Sequence, residues 1–323
     1  MRGVSVVGAG VMGMSIAHEL AVRGGYEVTV VAEHDALASV SSVAAAVWFP
    51  YQSGDSPELP HWLRRARERF EALAEADPTA GVDLREGTVV ERVAGADRWW
   101  TDVIPRNRVA SADELPSGAV SGVRAVVPVI STSQYMAWLR RLCESLGVRF
   151  VEGAVTSVND VAQATNADAV VVAAGLGSGP LLGDDSIFPI RGQVVRLANP
   201  GLTDWIVDDD FPGGLTYVVP RRVDIVCGGV AEAGSWDTAI LPETEEAILQ
   251  RVTSLVPELA GLPVVSRAAG LRPARKSIRL EHAEGYAVPV VACYGHGGAG
   301  VTLSWGCAEA VTRLVHETIE WAG

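Results

Sequence analysis

The sequence predicts an α/β chain: a nucleotide-binding domain assembled from separated segments, with a second, more antiparallel domain inserted into it. Three observations predict this. A β-branched strand, a glycine turn and an amphipathic helix follow one another at the N-terminus. A continuous apolar run, Ala169-Val170-Val171-Val172-Ala173-Ala174-Gly175, lies mid-chain, as expected of a parallel strand covered on both faces. Between residues 188 and 231, short alternating strands are separated by Pro, Gly and Asp turns. The 323 residues, 48% of them apolar and 20% charged, are ample for the core such a fold needs.

Val4, Val6 and Val7 form the first strand, Gly8 to Gly13 the turn, and Ile16, Ala17, Leu20 and Ala21 recur at helical spacing until Gly24-Gly25. Val28 to Ala32 is the second strand, with Glu33 at its end. Trp62, Leu63, Ala66 and Phe70 mark the inner face of a charged helix from His61 to about Ala76. Strands are expected at 82–93 and a helix at 131–146 with Tyr135, Met136, Leu139 and Leu142 inward. Alternating strands at Gly192–Leu197, Thr216–Val219 and Asp224–Cys227 precede a helix at Thr244–Val256. The tail reads as a strand (Val288–Cys293), a glycine turn (Gly295–Gly300) and a last helix from Val301. The expected division is 1–50, 131–187 and 270–323 for the nucleotide domain, and 51–130 and 188–269 for the second, substrate domain.

A net charge of −13 counts against a nucleic-acid partner or an anionic membrane. No apolar run reaches the roughly 18 residues of a membrane span. No cleavable leader precedes the first strand, so a cytoplasmic location is expected. Cys143, Cys227, Cys293 and Cys307 are too scattered for a metal site; free buried thiols and no metal are expected. The sequence assigns no oligomeric state.

Gly8-Ala9-Gly10-Val11-Met12-Gly13 follows a strand and opens a helix. The first glycine permits the tight turn, the second lets backbone approach a pyrophosphate, and the third lets helix pack on strand. The helix N-terminus adds free N–H groups and a positive dipole end. Glu33, followed by His34, stands twenty residues beyond Gly13, where a carboxylate accepts hydrogen bonds from ribose hydroxyls. This conjunction identifies a dinucleotide site without separating FAD from NAD. The strand running into Ala174 and Gly175 hints at FAD lying extended across the sheet, and a plain core strand is the alternative.

Two later segments carry more. In Gly270-Leu271-Arg272-Pro273-Ala274-Arg275-Lys276, an arginine on stiff extended backbone suits bidentate capture of a carboxylate; an ordinary basic surface turn is the alternative. In Tyr294-Gly295-His296-Gly297-Gly298-Ala299-Gly300-Val301-Thr302, glycines before a helix let backbone approach a flat ligand, and the helix N-terminus can face an electron-rich flavin carbonyl. A histidine held in a glycine turn, such as His296, reads as structural.

These residues resemble the D-amino-acid oxidase family of flavoenzymes. The carriers are VVGAGVMGMS at the N-terminus, VAAAVWFPY at 43–51, IRGQVV at 190–195, YVVP at 217–220, GLRPAR at 270–275, and YGHGGAGVT with SWGCA at 294–308. The resemblance spans nearly the whole chain. It implies a Rossmann-type FAD-binding domain plus a substrate domain on a mixed, largely antiparallel sheet. It implies an enzyme that moves a hydride from Cα of a D-α-amino acid to FAD, is reoxidised by O2 to give H2O2, and releases an imino acid that hydrolyses to a 2-oxo acid and ammonia. By the same resemblance Arg272 grips the substrate carboxylate, Tyr217 assists, and the carbonyl of Gly298 accepts the amine, with no acid or base at Cα. The implied flavin contacts are Gly8, Ala9, Gly10, Val11, Met12, Gly13, Glu33, His34, Ser41, Ser42, Ala45, Ala46, Val47, Val155, Ala174, Gly175, Arg279, Gly297, Gly298, Gly300, Val301 and Thr302. The chain departs from the family where the lid commonly carries a second tyrosine: Phe211 to Thr216 has none. Val40 and Phe49 likewise stand where polar residues are common in animal members. The alternatives are a glycine- or sarcosine-type amine oxidase and a D-aspartate-preferring oxidase. The latter needs a second cation, for which Arg221 and Arg222 are the candidates, although they read as a solvated hairpin tip.

Overall fold

The computed structural model describes residues 1–50 and 56–321, without the side chains of 320 and 321. Tyr51, which closes one of the segments above, lies outside the described residues. The N-terminal βαβ unit is β1 (Arg2–Val7), α1 (Val11–Arg23) and β2 (Tyr26–Ala32). The helix stops at Gly24 (φ 77) and Gly25 (φ 84), a backbone region that side chains avoid. Next, α2 (Leu59–Ala76) buries Leu59, Trp62, Leu63, Ala66 and Phe70, the three-to-four spacing of one helix face.

The strands β3 (Val82–Glu91), β4 (Asn107–Val109) and β5 (Ser121–Ile130) follow. β3 and β5 are antiparallel over their whole length, from Val82 opposite Ile130 to Glu91 opposite Ser121. The sequence reading carries no expectation for β5, although Val123, Ala125, Val127 and Val129 alternate into the core. Then come α3 (Thr132–Ser145), β6 (Arg149–Glu152), α4 (Val158–Thr165), β7 (Ala169–Val172) and α5 (Ser178–Leu182). All four residues of β7 are buried, as expected of a strand covered on both faces.

β8 (Phe188–Ala198), β9 (Trp205–Asp208), β10 (Thr216–Pro220), β11 (Asp224–Gly228) and β12 (Glu232–Ala233) build the antiparallel region, and α6 (Pro242–Leu255) packs on it through Ile248 and Val252. The tail is β13 (Val264–Ala283), β14 (Val290–His296) and α7 (Gly300–Trp321).

The main path of the sheet runs β4-β5-β3-β9-β10-β11-β8-β13-β14-β7-β1-β2-β6, with β12 on β8. From β14 to β6 the pairs are parallel; from β4 to β13 they are antiparallel apart from β3 with β9. β13 joins the two regions. It pairs with β8 as far as Ala274 and with β14 from Arg279 to Ala283, with an irregularity between. The sequence-based division at 269/270 therefore falls inside a continuous strand.

α2 crosses α7 closely enough that a Cβ on Gly306 would lie 2.1 Å from the Trp62 carbonyl oxygen. The arginines of α2 are largely engaged within the chain: Arg65 bridges to Glu309 at 2.8 Å, Arg67 to Glu71 at 2.7 Å, and Arg69 lies 4.8 Å over the Trp305 ring. No helix among the described residues is long and apolar enough to cross a membrane.

Candidate active site

A cavity of about 600 Å3 opens where the parallel strands end and continues over the face of the antiparallel ones. It runs from Glu33 past the glycine turns to Arg272 and Tyr217. Its size suits a small-molecule site, and its position at the carboxyl ends of parallel strands is where α/β sheets bind ligands.

At the N-terminal turn the three glycines do different work. Gly8 has φ 115, and a Cβ there would sit 2.5 Å from the Ala173 carbonyl oxygen. A Cβ on Gly13 would sit 1.9 Å from the Gly8 carbonyl oxygen. Both glycines are required by the fold. Gly10 is not: the nearest protein atom to its Cβ position is Ser41 Oγ at 3.4 Å. Its bare face belongs to the cavity. The same holds on the opposite wall, where Cβ positions on Gly175, Gly297 and Gly300 meet nothing nearer than 3.7, 3.8 and 3.9 Å. Gly10 and Gly300 thus keep the walls open without serving the fold, while Gly175 (φ 58) and Gly297 (φ 54) leave the same open space on backbone that also calls for glycine. Together with the N-termini of α1 and α7 on the lining, this cradle fits a dinucleotide bearing a flat ring system.

The segment at 39–49 lines the middle of the cavity. Ser41 Oγ accepts the Val11 N–H at 3.1 Å, tying it to the first turn of α1. The carbonyls of Ser42 and Val43 accept from Arg196 at 3.3 and 3.4 Å. Ala46 has φ 54, a conformation costing about 1–3 kcal/mol outside glycine, held while its carbonyl accepts the Ile130 N–H. Trp48 Nε1 donates to the Thr302 carbonyl at 3.0 Å, and Thr302 Oγ1 donates to the Phe49 carbonyl at 3.2 Å. These bonds fasten the segment to the N-terminus of α7.

At the far end stand Arg272 on β13 and Tyr217 on β10. Each lies over a glycine of a neighbouring strand. A Cβ on Gly192 would fall 2.4 Å from Arg272 Nη2, and one on Gly228 would fall 2.2 Å from Tyr217 Oη. Arg272 Nη1 donates to the Val230 carbonyl at 2.9 Å. Burial raises the Tyr217 phenol pKa, and the positive charge of Arg272 pulls it back. Among the described residues of the lining, Arg272 is the sole arginine or lysine. Among the described residues no ion pair engages it, so its charge is suited to an anionic group.

The structure brings most of the expected site residues onto one cavity: Gly8, Ala9, Gly10, Val11, Met12, Glu33, His34, Ser41, Ala45, Ala46, Val47, Val155, Ala174, Gly175, Tyr217, Arg272, Gly297, Gly298, Gly300, Val301 and Thr302. Three are off the lining. Gly13 serves the packing of α1. Ser42 turns its hydroxyl to the Ala36 carbonyl at 3.2 Å. Arg279 is engaged behind the wall, donating to Tyr294 Oη and Glu281 at 2.8 Å each, with Asp184 at 3.6 Å. β13 shifts register between Ala274 and Arg279, and Arg279 pairs with Tyr294 on β14. The hairpin tip is corrected at Arg221 only, since Arg222 is exposed. Arg221 is buried in a two-bond pair with Asp224, at 2.6 Å each, and Arg222 reaches Asp83 at 2.9 Å. Neither lines the cavity. His296 is buried with Nε2 4.0 Å from Cys293 Sγ. Sequence reasoning missed Val207, Asp209 and Leu215, which share the lining with Tyr217. The alternation of a strand pair, counted outward from Tyr217, was the signal that could have found them.

With this geometry in place, comparison with known proteins is direct. Residues 4–314 match the family described as FAD dependent oxidoreductase. The chain is 44% identical over 311 residues to a D-amino-acid oxidase of Rubrobacter xylanophilus, covering 96% of this chain and 94% of that one. It is 38% identical over 317 residues to a D-amino-acid oxidase of Streptomyces coelicolor, covering 96% of each. Among solved structures, glycine oxidase from Geobacillus kaustophilus superposes with a TM-score of 0.81 at 20% identity, over 98% of this chain and 96% of that one, which shows the fold alone. The chain belongs to the FAD dependent oxidoreductase family, and FAD is its cofactor.

Proposed function

We propose, on the premise of that family and cofactor, that the chain oxidises D-α-amino acids with O2 as the final acceptor. The observation that carries the reading is the far end of the cavity, where Arg272 faces apolar walls beside Tyr217. Arg272 pairs with the substrate carboxylate, and the Tyr217 hydroxyl donates a second bond to it. The Gly298 carbonyl, on the glycine turn before α7, accepts the amino N–H. Three points fix one enantiomer with its Cα–H toward the cofactor ring, and orientation supplies much of the rate. No acid or base is assigned to Cα. FAD when bound supplies the two-electron acceptor and passes the electrons to O2 as H2O2. The imino acid hydrolyses to a 2-oxo acid and ammonia.

The residues that hold FAD are part of the same proposal. Glu33 takes the ribose hydroxyls, the bare face of Gly10 and the N-terminus of α1 take the pyrophosphate, and Gly297, Gly300 and Thr302 at the N-terminus of α7 take the ring. The division into an FAD-binding lobe and a substrate lobe, joined by β13, belongs to this reading. So does a cytoplasmic location, which the four free, buried cysteines suit. A D-aspartate preference is disfavoured because Arg221 and Arg222 are committed elsewhere.

The test is anaerobic mixing of the yellow protein with D-alanine, L-alanine, glycine and sarcosine in turn. Bleaching by D-alanine alone supports the reading. Faster bleaching by glycine or sarcosine makes it an amine oxidase of that kind, and no bleaching by any of them sinks it.

A further inference from the structure

The cavity end that faces Arg272 also carries one carboxylate. β9 and β10 form an antiparallel ribbon in which Val207 lies opposite Tyr217 and Asp208 opposite Thr216. Asp209, in the exposed turn just past β9, and Leu215, just before β10, lie next to the pair Val207 and Tyr217. All four line the cavity. The two flanking aspartates do not. Asp208 is fully buried and bonded to Arg92 at 2.9 Å, and Asp210 is exposed off the lining.

Asp209 has no hydrogen bond or ion pair among the described residues. Surrounding protein raises its pKa, and the like charges of Asp210 and Asp208 add to the effect. A carboxylate in that position gains from a cation brought to it. The chain offers none: the sole arginine or lysine on the described lining is Arg272, at the carboxylate end. Glu33 and Asp35, the other acids on the lining, stand at the opposite end, just beyond β2.

We propose that Asp209 is a specificity-determining residue that selects D-α-amino acids with cationic side chains, of the D-lysine and D-arginine type. This rests on the D-amino-acid reading above. The substrate carboxylate is held at Arg272 and Tyr217. The side chain then runs along the ribbon face, its methylenes against Val207 and Leu215. Asp209 lies two residues beyond Val207, at most roughly 7 Å of chain, a span that long side chains reach and short ones do not. The same carboxylate repels D-aspartate and D-glutamate, so one residue both attracts and excludes.

The experiment uses the FAD-loaded protein and its Asp209→Asn variant, with D-lysine, the uncharged near-isostere D-norleucine, and D-glutamate. The variant should lower kcat/KM for D-lysine by roughly fivefold, the upper end for losing a partly exposed ion pair. Most of the loss should fall in KM, since the contact is the same in ground and transition states. D-norleucine should change by less than about twofold and D-glutamate should improve, both within the range of an isosteric change at one wall. D-norleucine turnover with an unmoved D-lysine to D-norleucine ratio overturns the assignment of Asp209 alone. Absence of turnover with D-norleucine and D-alanine in both proteins overturns the underlying reading and this one with it.

Discussion

The two ends of the cavity use glycine in opposite ways. At the pyrophosphate end, Gly10 and its facing partners Gly175, Gly297 and Gly300 have Cβ positions that meet no protein atom nearer than 3.4 Å. At the substrate end, Gly192 and Gly228 are covered by the guanidinium of Arg272 and the ring of Tyr217. The first set leaves room for a ligand, although Gly175 (φ 58) and Gly297 (φ 54) also meet a backbone demand. The second makes room for the protein's own side chains, so that a long arginine and a tyrosine lie flat on the sheet and present their polar ends to the cavity. Gly8 and Gly13 are a third case, needed by close backbone packing and, at Gly8, by a φ of 115. A glycine motif read from sequence merges these roles, and the nearest neighbour of the missing Cβ separates them.

The largest effect is expected at Gly13→Ala. Its Cβ would press on the Gly8 carbonyl at 1.9 Å, and the loss should exceed about 4 kcal/mol, the far end of single substitutions. Thermal unfolding of the apoprotein reads it, and an unchanged Tm would break the packing role of this glycine. Arg272→Ala should leave flavin content intact while costing about 2–5 kcal/mol of substrate binding, as for opening a buried charge pair. Retention of near wild-type kcat/KM on a neutral D-amino acid would refute the carboxylate assignment.

Gly192→Ala is the sharper probe of the substrate end. Its Cβ meets only the flexible end of Arg272, so Tm should hold while kcat/KM falls roughly 10- to 100-fold through misplacement. Gly10→Ala should behave in the mirrored way. Apoprotein stability should be almost unchanged, and FAD affinity should weaken by about 1–2 kcal/mol as the new methyl crowds the ligand. If Gly10→Ala instead unfolded the apoprotein, the contrast between ligand-serving and packing-serving glycines would fail. The smallest effect is expected at Tyr217→Phe, about 0.5–1.5 kcal/mol for one hydrogen bond, seen mainly in KM.

Much of this was legible in the sequence, for local reasons. The N-terminal βαβ unit, the all-apolar β7 and the faces of α2 and α3 follow from periodicity, and the glycine turns mark their own positions. Arg272 was legible because proline stiffens its backbone. What escaped was set by distant pairing. β5 gave a readable alternation, but its partner β3 pairs with it across 30 to 48 residues of chain, from Glu91 with Ser121 to Val82 with Ile130. Arg279 reads as a cofactor contact, yet it is bonded to Tyr294, lies 3.6 Å from Asp184 and is off the described lining. Arg221 read as a solvated tip, yet it is buried because Asp224 returns to meet it across the turn.

The sequence by itself determined that a dinucleotide lies on a glycine turn with an acid after the second strand, and that an arginine and a second glycine turn stand near the end of the chain. These are properties of short segments, whose backbone demands are written in their own residues. Only the tertiary structure decided which glycines face a ligand and which face protein. It also set Arg272 as the lone arginine or lysine of the described lining and put Asp209 on the same lining. Those outcomes depend on strand register between segments far apart in the chain, and register is fixed by the packing of the whole sheet.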